Sequence, residues 1–164
     1  MSATAKGNFP RTIKDIVAMN YGAALAFPDG PPLAAPAPEW SSDGESEMDV
    51  CQREFFLKHS DNVPDTPLQE VLYYYDCIGF MNGEEAAPWL AILMCASFYA
   101  VDYLDDPSHN VTSWTQFALE KCMATGHVPV SLKAIDYFAE HVCEPRSDDP
   151  ELHSKIDHFR GIGG

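Results

Sequence analysis

Residues Ala86 to Val101 (AAPWLAILMCASFYAV) carry no charge for sixteen positions, and a helix drawn through them is apolar on every side. Such a helix has to be surrounded, by protein or by lipid. A bilayer span takes about 20 apolar residues, with basic residues and aromatics at its ends. This run is shorter and its flanks are acidic: Glu84 and Glu85 precede it, Asp102, Asp105 and Asp106 follow it, and no Lys or Arg lies near either end. The pattern predicts a buried central helix over about 86–103 rather than a membrane segment. Pro88 suits its first turn, and the two glutamates complement the N-terminal dipole. Three aspartates at the other end oppose that dipole. Either the helix stops near Asp102 and turns toward Pro107, or the acids have a use.

The rest of the chain reads as helices to wrap this one. Pro10 to Phe27 reads as one amphipathic helix, with Ile13, Ile16, Val17, Tyr21 and Ala24 on one face. Residues 28–38 contain five prolines, which forbid a helix interior. Ser41 to Glu47 is polar and acidic. Residues 1–45 are therefore expected to be an N-terminal helix plus a linker, and residues 46–164 an all-helical acidic domain. Within it, Met48, Cys51 and Phe55 mark one helix face. Thr66-Pro67-Leu68-Gln69 reads as a capped start, with Thr66 as N-cap, Pro67 at N1 and Gln69 placed for a capping box. Leu68, Val71, Leu72, Tyr75 and Ile78 follow at helical spacing, and Asn82-Gly83 closes that helix. Thr112 or Ser113 opens the next, with Trp114, Phe117, Ala118 and Cys122 inward and Gly126 as the stop. Ser131 starts another, with Leu132, Ile135, Ala139 and Val142 inward. Asp149-Pro150 starts the last, with Leu152, Ile156 and Phe159 inward. No segment shows the sustained alternation of a strand. The expected fold is all-α, a single compact bundle of six or seven helices around the central one.

Charge narrows the partners. The chain carries a net charge of −15, unevenly spread. Residues 1–38 hold three basic and two acidic residues, and the remainder holds seven basic against twenty-three acidic. From His59 to Glu120 there are ten acidic residues and no Lys or Arg. Such a surface repels nucleic acid and anionic membranes and attracts basic protein surfaces. Five cysteines with no CxxC pair, and no basic-then-apolar leader, fit a reducing cytoplasm.

Chemistry is sparse. Asp102, Asp105 and Asp106, with Glu84, Glu85 or Asp76, are candidates for Mg²⁺, but phosphate chemistry also needs cations on the protein, and this region has none. Cys122, His127, His141 and Cys143 are spaced unlike zinc ligands, which come in tighter pairs. No GxSxG, phosphate-binding glycine loop or HExxH occurs. No catalytic residue, metal or cofactor is therefore expected. The leading expectation is an acidic protein-binding module or inhibitor that docks on a basic partner, including one that normally holds nucleic acid. Phage anti-defence and immunity proteins are analogous in class only. The expected contacts are Asp102, Asp105 and Asp106, then Glu84 and Glu85, then Asp43, Glu45, Glu47 and Asp49, with Trp40 as an aromatic anchor. Two alternatives stand beside it. One is a small metal-dependent hydrolase using Asp102, Asp105 and Asp106. The other is an assembly protein that swaps its N-terminal helix, which is compatible with a homodimer.

Overall fold

The computed structural model describes residues 9–35, 54–55, 57–74, 83–106, 109–126, 128 and 130–143. Among them every regular element is helical, and the β-type pairing is an isolated antiparallel bridge between Thr12 and Pro67. The all-α class expected from the sequence is what the fold shows.

Helix α1 (Ile13–Met19) starts with a capping box at Thr12. Asp15 Oδ2 accepts from the Thr12 and Arg11 backbone N–H groups, each at 3.1 Å, and Asp15 N donates to Thr12 Oγ1. Burial pushes the Asp15 carboxyl up, but these hydrogen bonds and the nearby Lys14 charge outweigh it and hold it below its usual 3.8. A folded value below the unfolded one stabilises the fold above 3.8, and that contribution is lost as pH falls through the folded value. Asp15→Ala is expected to lower stability by about 0.5–2 kcal/mol at neutral pH. In urea titrations the gap to the parent chain should close as pH drops below that value. A gap unchanged into acid would remove the carboxylate from the cap.

The chain does not run on as one helix to Phe27. It breaks at Asn20, which is extended (φ −117°, ψ 130°) and restarts the helix as α2 (Tyr21–Ala26) by accepting the Ala23 N–H on its side-chain oxygen at 3.1 Å. Asparagine competes with helix backbone through its side chain, which is why it stops one helix and caps the next. The break resets the helical phase. Ile13 and Ile16 are buried as expected, but Tyr21 and Ala24 turn outward and Gly22, Ala23 and Ala26 turn in. Backbone bonds tie this segment down, with Ile13 N donating to Thr66 O and Leu68 N to Arg11 O. Further on, Ala35 N donates to Ser60 O and Val63 N to Leu33 O, so residues 33–35 lie against residues 60–63.

A 3₁₀ turn (Val63–Asp65) leads into α3 (Leu68–Tyr74). The expected capping box is absent here. Thr66 closes the 3₁₀ turn, and Gln69 Nε2 donates to the Tyr99 hydroxyl at 2.9 Å instead of reaching back to the backbone. A buried partner on the neighbouring helix has outcompeted the local bond. Residues 57–59 are helical, and buried His59 meets Glu70 of α3, Nε2 to Oε1, at 2.9 Å.

Helix α4 (Gly83–Asp102) begins three residues before the uncharged run, so Pro88 lies inside it. From Ala86 to Ala100 every residue but the half-buried Pro88 is buried. Among the described residues, no helix is long and apolar enough to cross a membrane. Helices α1, α2 and α3 pack on α4 together with α5 (Asn110–Thr125), α6 (Leu132–Phe138) and the π turn that follows (Ala139–Cys143).

Helix α5 is capped by His109, whose Nδ1 accepts the Val111 N–H at 3.0 Å, three residues before the expected threonine, Thr112. Its stop is the expected one, Gly126, at φ 76°. Its inward face is the expected one only at Ala118 and Cys122. Thr112 and Thr115 are fully buried with Val111, Ala118, Leu119 and Cys122, while Phe117 is exposed and Trp114 half-buried. Threonine can do this because its hydroxyl bonds back to its own helix, Thr112 Oγ1 to His109 O and Thr115 Oγ1 to Val111 O, leaving a methyl to pack. Thr115 Oγ1 also lies 2.8 Å from Ser97 Oγ, joining α5 to α4. Ser131 caps α6 as expected. The helix expected from Asp149 onward, and Met48, Cys51, Tyr75 and Ile78, lie outside the described residues.

Candidate functional site

The C-terminal end of α4 is where polar groups from distant parts of the chain meet. Asp102 is its last helical residue. A carboxylate there opposes the helix dipole and needs donors. It has two. Asn20 Nδ2 donates to Oδ2 at 2.9 Å, and His141 Nε2 donates to Oδ1 at 2.7 Å. The residue stands at an exposed corner, yet its side chain is folded inward and only 25% exposed, against 35% for His141. Asn20 thus serves two elements with one side chain, capping α2 with its oxygen and holding α4 with its nitrogen.

His141 sits on the π turn, a widened helical geometry that re-aims side chains and is frequent at functional sites. Its ring stacks on Tyr137 at 4.9 Å and 16°. Tyr137 in turn meets the edge of Tyr21 at 5.1 Å and lies 5.6 Å from Phe98. Burial, then the Asp102 charge and Tyr21, push the Tyr137 hydroxyl above its ordinary value, so it stays protonated at neutral pH. The cluster Asn20, Tyr21, Asp102, Tyr137 and His141 joins α2, α4, α6 and the π turn.

After Asp102 the chain closes the helix. Tyr103 N and Leu104 N donate to Tyr99 O, and Asp106 N donates to Ala100 O. Asp105 makes this turn in the left-handed region (φ 53°), where aspartate is among the better-tolerated non-glycine residues. It is exposed, and Asp106 is half-buried. The three aspartates therefore do not present one face: Asp102 turns in and Asp105 out. Glu84 and Glu85 belong to the first turn of α4, and their side chains lie outside the described residues. Eighteen residues of helix separate Glu84 from Asp102, about 27 Å at the α-helical rise. The glutamates cannot share an ion with the aspartates. Among the described residues, no three His, Cys, Asp or Glu side chains form a group that could hold a metal ion. Asp43, Glu45, Glu47, Asp49 and Trp40 lie outside the described residues.

The spaced Cys/His set does not assemble around Cys122, which is buried among α5 core residues, while His141 is turned to Asp102. His127 and the Cys143 side chain lie outside the described residues. Burial raises the thiols of Cys95 and Cys122, the latter to about 11, so neither supplies a thiolate near neutral pH.

No protein-family model, no curated protein and no solved structure matches this chain. The functional reading therefore rests on the residues themselves.

Sequence reasoning missed Asn20, Tyr137 and His141 as partners of Asp102. Asn20 left a signal, a good N-cap residue inside a helical run. The Asp102–His141 pairing left none, because it is made by the fold across thirty-nine residues.

Proposed function

We propose that this chain is an acidic protein-binding module that docks on a basic surface of a partner protein. The observation that carries the reading is the stretch from His59 to Glu120, with ten acidic residues and no Lys or Arg. Fixed carboxylates on a rigid helical frame present a negative field like that of a phosphate backbone, and compete for the same Lys and Arg side chains. Inhibition of a nucleic-acid-binding partner is the sharper form of the same reading.

The hydrogen bonds of Asp102 support a structural role for it. Asp105, exposed on the turn that follows, is on this reading the aspartate that meets the partner. The experiment follows from that division. In the full chain, Asp105→Asn removes one charge, and asparagine tolerates the left-handed turn. Asp61→Asn removes one charge from an exposed position elsewhere and serves as the control. An arginine-rich peptide is titrated into each at low salt. Asp105→Asn is expected to weaken binding about threefold more than the control, with the melting temperature unchanged. Equal weakening by both variants would mean that net charge alone binds and that the α4 end is no site.

A further inference from the structure

The sequence from Ile16 to Pro28 (IVAMNYGAALAFP) carries no charge, and it is bounded by Asp15 and Asp29. The core explains only half of it. Ile16, Gly22, Ala23, Ala26 and Phe27 are buried, but Ala18, Met19, Tyr21 and Ala24 are exposed, Met19 at 40% and Tyr21 at 58%. Exposed helix positions in a chain this acidic would ordinarily carry charge. Here four of them are apolar or aromatic, Ala18 and Met19 at the end of α1 and Tyr21 and Ala24 on α2.

This face adjoins the acidic end of α4. Asn20, between Met19 and Tyr21, is bonded to Asp102, and Tyr21 touches Tyr137, whose hydroxyl feels the Asp102 charge. Asp105 follows three residues after Asp102, Glu140 precedes His141, and Asp29 follows α2; all three are exposed. Helix α6 adds one cation, Lys133, and one acid, Asp136. An apolar centre holding a tyrosine and a methionine, with a charged rim, is the composition of a protein interface.

We infer that Ala18, Met19, Tyr21 and Ala24 form the apolar centre of the docking surface, and that the partner meets it with an amphipathic basic segment. In that segment, leucine-like side chains cover the centre and arginines meet the acidic rim. The inference rests on the docking reading above and adds the partner's chemistry to it. Charge selects this occupant over a second copy, because two copies meeting here would bring acidic rim against acidic rim.

The test uses the full chain and two synthetic peptides with equal numbers of arginines at physiological salt. One alternates arginine with leucine at helical spacing, and the other has serine for every leucine. The leucine peptide is expected to bind about tenfold tighter, a difference of about 1.4 kcal/mol. Met19→Gln with Ala24→Gln, both at exposed positions, should shrink the preference to about twofold or less with the melting temperature unchanged. Equal binding of both peptides, or a preference that survives the double variant, overturns the inference and leaves the charge reading standing. If neither peptide binds, both readings fall. A concentration-dependent dimer that the double variant abolishes also overturns it, by assigning the face to a second copy.

Discussion

Trp89→Ala is expected to lower stability by about 3–5 kcal/mol, the range for removing a fully buried aromatic. Trp89 leads the largest fully buried side chains, at 1% exposure, one residue after Pro88 on α4. It belongs to one close-packed apolar cluster drawn from several helices, which limits collapse into the space it leaves. Domains of this kind hold about 5–15 kcal/mol in total, so the loss takes a large share. In urea, the midpoint should fall steeply while the slope of the transition stays the same. Trp114→Ala, at a half-buried position on α5, is the control and should have a clearly smaller effect. A loss below about 1 kcal/mol at Trp89, the range of surface changes, would contradict the burial of α4.

Gly22→Ala is the second large effect, and its sign runs against propensity. In an exposed helix, glycine to alanine gains about 0.5–1 kcal/mol. At position 22 an added Cβ would lie 2.7 Å from both Phe98 Cζ and Tyr137 Cε2, and 2.8 Å from Phe98 Cε2. Both rings are stiff. Phe98 is buried in α4, and Tyr137 is held by His141 on one side and Tyr21 on the other. Overpacking of this kind costs about 1–3 kcal/mol, which outweighs the propensity gain. The variant should therefore melt lower than the parent chain. It should also loosen the Tyr137–His141 stack and with it the hold on Asp102. A variant that melts at the same temperature or higher would mean that α2 does not approach α4 this closely.

Legibility in the sequence followed the range of the interaction. The uncharged run of α4, the Gly126 stop and the Ser131 cap are local signals, and each sits where the pattern put it. The extent of the N-terminal helix was misread because a single asparagine weighs little in a periodicity count, yet it both stopped α1 and started α2. Gly22 has a poor intrinsic helix propensity, and the packing that requires it is visible only once Phe98 and Tyr137 are beside it. Thr112 and Thr115 were passed over for the inward face because hydropathy does not count a hydroxyl that bonds to its own helix. The aspartates were visible as a group but not as individuals. Nothing in their spacing tells that Asp102 is bonded inward to Asn20 and His141 while Asp105 is left outward.

That distinction changes how the acids are to be tested. Charge reversal at Asp102 would remove the acceptor for two donors and place a cation beside His141. It would unsettle the α2–α4–π-turn junction whatever the partner does, so loss of binding there says little. Asp105, exposed, is the informative position, and the face of Ala18, Met19, Tyr21 and Ala24 is the informative neighbour.

The reading of this chain as an electrostatic docking module is answered by a salt series on the full chain with the arginine-rich peptide. Between roughly 50 mM and 500 mM salt, where the screening length falls from about 14 Å to about 4 Å, the dissociation constant should rise by about tenfold or more, chiefly through slower association. A dissociation constant unchanged across that range would show that charge does not bring the partner in.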